Sequence, residues 1–152
     1  MNAIAQGALF GWPFAIVLIF LIFPPRRAAV ASMVAGWLFL PNGGIEISGF
    51  PAYSKVTATT IGVFLAAALT DSRQLLTVRW RIWDLPMLVW CLVPFASSMA
   101  NGLGAWDGFS GITRHILEWA IPYVIGRAYF RNSAELRDLA MGIFIGGLIY
   151  AP

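Results

Sequence analysis

Charged residues are missing from long, separate stretches of this chain, and that pattern limits the solvent in which it can fold. No Asp, Glu, Lys or Arg occurs in Met1–Pro25, Ala28–Ile45, Val56–Thr70, Leu85–Trp106 or Leu139–Pro152. Crossing the ~30 Å hydrocarbon core of a bilayer takes about 20 helical residues, with roughly 17–25 tolerated. The first and fourth stretches meet that length unaided. The second is marginal, because Pro41, Asn42, Gly43 and Gly44 end its helix near Leu40 and call for a locally thinned bilayer. The third reaches length only with Lys55 at the interface, its ammonium snorkelling outward. A fifth expected span runs from Ser110 to Gly126. It holds Arg114, His115 and Glu118, but Ile112, Ile116, Leu117, Trp119, Ile121 and Val124 leave most of its surface apolar. After the charged turn Arg131–Asp138 a sixth apolar helix opens at Leu139 and covers only ~21 Å by Pro152, so it is expected to be truncated.

Composition points the same way: 59% of the residues are hydrophobic and 11% charged, against about 25% charged in an average soluble domain. A water-soluble globule is therefore excluded as an expectation. The expected fold is all-α, a polytopic helical integral membrane protein with about five full transmembrane helices plus a truncated sixth. Residues 1–152 form one transmembrane region, read as the N-terminal fragment of something longer.

The first stretch does not read as a cleaved signal peptide. No basic residue precedes it, and Pro24, Pro25, Arg26 and Arg27 follow where small cleavage-site residues belong. Orientation follows from Lys and Arg, which favour the cytoplasmic side. Arg26 and Arg27 lie in the first connection, Arg73, Arg79 and Arg81 in the third, and Arg127, Arg131 and Arg137 in the fifth, whereas the even connections hold Lys55 alone. The N-terminus is thus expected in the periplasm, with the Asn42–Tyr53 and Asn101–Gly108 loops on the same side. Within Gln74–Trp83, Leu76, Trp80 and Trp83 recur at helical spacing beside Arg73, Arg79 and Arg81. This reads equally as an amphipathic helix in the inner-leaflet interface or as an ordinary basic loop.

Small residues at four-residue spacing read as helix-packing stripes: Ala28, Ser32 and Gly36; Gly62, Ala66 and Thr70; Gly142 and Gly146. The lone Cys91 allows no intrachain disulfide and no cysteine metal cluster. No phosphate-binding or dinucleotide glycine loop and no HExxH motif is present, so no cofactor and no metal are expected. The net charge of +3 follows from membrane orientation and does not argue for nucleic acid.

One constellation carries chemistry. In Gly111–Gly126 (GITRHILEWAIPYVIG), Arg114 and Glu118 are i, i+4 and His115 and Glu118 are i, i+3, so the three side chains can share a helix face. Charge within a span requires a partner, a bundle interior or a watery cavity. Arg114 offers a planar fork suited to phosphate, with Glu118 orienting it or His115. The alternative is a salt-bridged structural pair with His115 hydrogen-bonded nearby, and the residues alone favour it slightly.

From Asn101 to Pro152, NGLGAWDGFSGITRHILEW, AIPYVIGRAYF and RNSAELRDLAMGIFIGGLIYAP follow one another, with a helix ending in Pro122, Tyr123, Gly126, Arg127, Tyr129 and Phe130. This stretch resembles the N-terminal half of O-antigen polymerase and O-antigen ligase-like proteins. The resemblance implies a bacterial inner-membrane, multi-pass protein that transfers sugar chains from an undecaprenyl-diphosphate carrier during surface polysaccharide assembly. It implies inverting chemistry without metal or nucleotide sugar. In that family the proposed catalytic Arg and His lie mainly by a large periplasmic loop of the second half, so no catalytic residue is assigned here and this portion is expected to be inactive by itself. The partners so implied are membrane lipids and an undecaprenyl-diphosphate-linked glycan. The other reading is a non-catalytic polytopic membrane protein, a transporter segment or scaffold.

Overall fold

The computed structural model describes residues 2–47 and 50–151, and it is helical apart from one short hairpin. Met1, Ser48, Gly49 and Pro152 lie outside the described residues, so the tip of the expected Asn42–Tyr53 loop and the last residue of the expected sixth helix do too.

Helix α1 (Ala3–Ile22) starts at Asn2, whose side chain accepts the Ala5 N–H at 2.9 Å. Pro24 and Pro25 turn the chain, with Pro25 opening α2 (Pro25–Phe39) where its missing N–H costs nothing. Leu40 precedes Pro41 and takes an extended ψ of 144°, which stops α2. Strands β1 (Gly44–Ile47) and β2 (Phe50–Ser54) pair antiparallel, Ile45 opposite Tyr53. Ser54 then caps α3 (Lys55–Thr70), followed by the single turn α4 (Ser72–Leu76). A 3-10 turn at Ile82–Asp84 leads into α5 (Leu85–Ala100). Gly102 and Gly104, at φ of 72° and 94°, make the tight turn into α6 (Ala105–His115), a left-handed backbone that other residues rarely adopt. A π-helical turn, Ile116–Ala120, joins α6 to α7 (Ile121–Tyr129), and Asn132 caps α8 (Ser133–Tyr150).

Helix α3 is the hub, packed by α1, α2, α7 and the π turn, while α8 lies along α2 and α5 pairs with α6. The core joins Ile16, Phe20, Ala28, Ala29, Val63, Ala66, Ala67, Ile125, Ala128 and Tyr129. Small residues permit the close approach. A Cβ on Gly62 would lie 2.6 Å from Ile16 Cδ1 and 3.0 Å from Pro13 Cα, and Gly142 and Gly146 face Val30 and Val34. The stripes expected at Ala28/Ser32/Gly36 and Gly62/Ala66 are buried, whereas Thr70 is exposed and donates to the Ala66 carbonyl at 2.8 Å.

Prolines inside helices free the carbonyl four residues back, and at two of them a distant side chain takes it. Pro13 leaves the Leu9 carbonyl open, and the Tyr53 hydroxyl of β2 donates to it at 3.2 Å, its ring stacked on Phe10. Pro94 leaves the Trp90 carbonyl open for His115, described below. Orphan carbonyls at helix ends are met similarly. Lys55 Nζ donates to the Trp37 carbonyl at 2.9 Å, Gln74 to that of Ala128 at 2.8 Å, and Arg131 Nε to that of Arg127 at 3.2 Å. Lys55 therefore ties α3 to the end of α2 instead of snorkelling outward.

The expected five full spans and truncated sixth are not what forms. Among the described residues two helices are long and apolar enough to cross a membrane, Ala3–Ile22 and Ile82–Ala100. Helix α2 has 15 residues because Pro41 ends it, and α3 has 16 because Ser54 and Asp71 bound it. The expected Ser110–Gly126 span is part of a longer helical run from Ala105 to Tyr129, broken by the π turn and carrying Asp107, Arg114, Glu118 and Arg127. Helix α8 begins at Ser133, so it reaches its length only by including Glu135, Arg137 and Asp138. The Asn42–Tyr53 loop contains the hairpin. The Gln74–Trp83 segment is no amphipathic helix: helical structure stops at Leu76 and resumes at Ile82, so Leu76, Trp80 and Trp83 do not share one helical face.

Candidate functional site

Arg114, on the last turn of α6, meets Glu118 in the π turn, with Nε 3.0 Å from Oε1. This ion pair is on the surface, the Arg114 side chain being 65% exposed. His115 points elsewhere. Its Nδ1 lies 3.0 Å from the Trp90 carbonyl oxygen, and its ring stacks on the Trp90 indole with centroids 5.4 Å apart and planes inclined by 19°. A carbonyl only accepts, so Nδ1 carries the proton in this contact. Trp119 packs edge-on against the same cluster, 6.5 Å from Trp90. The structure thus brings Arg114 and Glu118 together and separates His115 from them, in the role of replacing the N–H that Pro94 lacks.

Spacing alone did not disclose a second centre. Asp84, in the 3-10 turn that opens α5, has a side chain 2% exposed. Its carboxylate accepts the Arg81 N–H at 2.6 Å, the Tyr123 hydroxyl and the Arg127 guanidinium. Tyr123 and Arg127 are i, i+4 on α7, and the guanidinium carbon sits 5.9 Å from the Tyr123 ring centre. The other arm of Arg127 donates to the Arg79 carbonyl at 3.0 Å. Arg131 reaches from beyond α7 to Thr77 Oγ1 at 2.8 Å. Three chain segments are thereby locked: the Thr77–Arg81 passage, the start of α5 and the end of α7. The sequence signal was slender. Asp84 is a lone carboxylate at the edge of an apolar run, and Tyr123 and Arg127 belong to the PYVIGRAYF stretch.

Above this lock opens a cavity of about 680 Å³ whose wall carries Arg79, Arg81, Arg127 and Arg131, with Thr77 and Trp83. Asp84 matches Arg127. Among the described residues, Arg79, Arg81 and Arg131 form no ion pair, so the wall is strongly positive. Nearby, Arg26 of α2 spans to Glu135 and Asp138 of α8, at 3.8 and 3.6 Å. The Arg131 N–H, donating to Glu135 at 2.6 Å, holds that carboxyl below the usual glutamate range, helped by Arg26 and opposed by partial burial. Basic residues from the three odd connections therefore gather at one end of the bundle. Among the described residues, no three His, Cys, Asp or Glu side chains converge as a metal requires.

Comparison of the chain with protein-family models, with curated proteins and with solved structures finds no match.

Proposed function

We propose that this chain is a membrane-embedded helical portion of a bacterial inner-membrane protein acting on lipid-linked glycans, of the O-antigen polymerase and ligase kind. One observation carries the membrane part. Large apolar side chains cover the outside of several helices: Phe14 is 75% exposed, Ile22 74%, Leu69 75% and Phe144 67%. Soluble monomers rarely expose contiguous apolar patches beyond a few hundred Å², and lipid is the solvent that suits this one. The glycan part rests on the resemblance of Asn101–Pro152, within which Tyr123 and Arg127 belong to the Asp84 lock. A non-catalytic scaffold is the second reading, and the closed Arg114–Glu118 pair with His115 turned to Trp90 favours it for that triad.

The test is genetic and direct. Deleting the gene in its host should shorten or abolish a surface-polysaccharide ladder on a gel, and supplying the intact gene should restore it. An unchanged ladder with normal protein levels in the parent contradicts the glycan reading and leaves the scaffold.

A further inference from the structure

The arginine cavity does not stand alone. Trp83, 81% exposed, also lines a second cavity of about 550 Å³ that runs along α5 over Ile82, Leu85, Val89 and Val93. From Ile82 to Val93 this apolar groove extends roughly 16 Å at ~1.5 Å per residue. Cations thus flank one side of an indole, and a hydrocarbon-lined channel leads away from the other. Indoles favour the boundary between headgroups and acyl chains, and guanidinium forks match phosphate oxygens with paired hydrogen bonds.

We propose that this composite site binds one anionic phospholipid, with its phosphate held by Arg79, Arg81 and Arg131 and the upper part of an acyl chain lying on Leu85, Val89 and Val93. The proposal rests on the membrane reading above, but not on the glycan reading. A phosphate-only ligand would leave the groove unused. An apolar ligand would leave three guanidiniums in the wall without a counter-charge. Arg127 is not a binding group here, because Asp84 engages it, and it serves to hold the wall in place.

The experiment uses the whole chain in neutral detergent, titrated with phosphatidylglycerol or phosphatidylcholine and read by native mass spectrometry. One phosphatidylglycerol per chain is expected, preferred about tenfold or more over phosphatidylcholine. Arg79→Gln, Arg81→Gln and Arg131→Gln together should reduce the two lipids to parity, whereas Arg79→Lys, Arg81→Lys and Arg131→Lys together, which keeps charge and guards against misfolding, should retain a preference. Leu85→Ser with Val89→Ser should weaken both lipids. Equal binding of the two lipids by the unaltered chain, or a preference surviving the glutamine variant, overturns the site. Inorganic phosphate at millimolar concentration should not displace the lipid. Displacement, with no effect of the groove variant, assigns the cavity to free phosphate and also overturns it. Insertion of the same preparation into phosphatidylcholine vesicles separates the two readings. A chain that inserts without a lipid preference defeats this site alone, and a chain soluble without detergent defeats the membrane reading with it.

Discussion

At the scale of single residues, several polar side chains hold backbone carbonyls that a proline or a helix end leaves open. His115 illustrates it. Pro94 removes the N–H that would bond the Trp90 carbonyl, and His115 supplies Nδ1–H instead. His115→Phe should therefore cost roughly 1 kcal/mol in the parent, and much less in a Pro94→Ala background where the helix satisfies its own carbonyl. A double-mutant cycle of unfolding in detergent checks this, and equal costs in both backgrounds would refute it. Arg114→Leu strands Glu118, so Arg114→Leu with Glu118→Gln should recover protein level and stability, and Arg114→Lys should behave like the parent. If Arg114→Lys instead abolishes a glycan ladder at normal protein level, Arg114 holds an anionic substrate. The helical spacing of Arg114 and Glu118 was legible in the sequence because the contact is local. Asp84 with Arg127 was not, since the partners are 43 positions apart and meet only once α7 has packed on α3 and α4. Asp84→Asn or Arg127→Met should each lower the unfolding temperature, and their combination should lower it less than Arg127→Met alone, because the double variant leaves no unpaired buried carboxylate.

At the scale of elements, close helix contact rests on missing side chains. Gly62→Ala would push a methyl against the Pro13 backbone, so it should destabilise by roughly 1–3 kcal/mol. Gly7, where an added methyl would meet nothing within 4 Å, is the control, and Gly7→Ala should be neutral or stabilising by up to about 1 kcal/mol. Chemical unfolding of both variants settles the sign. The start of α8, where the Arg131 N–H and then Arg26 of α2 meet Glu135, carries a pH dependence. The Glu135 carboxyl sits below its ordinary value of 4.5, so its stabilising contribution is present above that value and is lost as pH falls through the lower folded-state pKa. The unfolding temperatures of the parent and of Glu135→Gln should converge below that range, and a difference that persists in acid would contradict the assignment. Helix ends were readable where proline sets them, as at Pro24–Pro25 and Leu40–Pro41, whereas the start of α8 was expected at Leu139 and lies at Ser133, because Asn132 caps a first turn that carries charge. The hairpin was not, because Gly44–Ser54 lacks a clear two-residue periodicity and is fixed by Tyr53 reaching α1. The π turn was missed for a similar reason: Pro122 marks a disturbance, but its form depends on how α6 and α7 meet α3 and α5.

At the scale of the molecule, hydropathy located the apolar segments but overcounted spans, since uncharged length in sequence is not uninterrupted helix. Prolines, caps, a π turn and charges within helices divide the expected runs, and among the described residues α1 and the helix through α5 are those both long and apolar enough to cross. Both have ends at the arginine-rich pole, where Arg26 follows α1 and Arg81 precedes Asp84. On the membrane reading proposed above, this bundle lies in the bilayer with that pole on the cytoplasmic side. Reporter fusions after Arg73 and after Gly104, on either side of the α5 helix, probe this orientation in living cells. A cytoplasmic signal is expected at Arg73 and a periplasmic one at Gly104. Signals on the same side at both positions, or the reverse assignment, would contradict it.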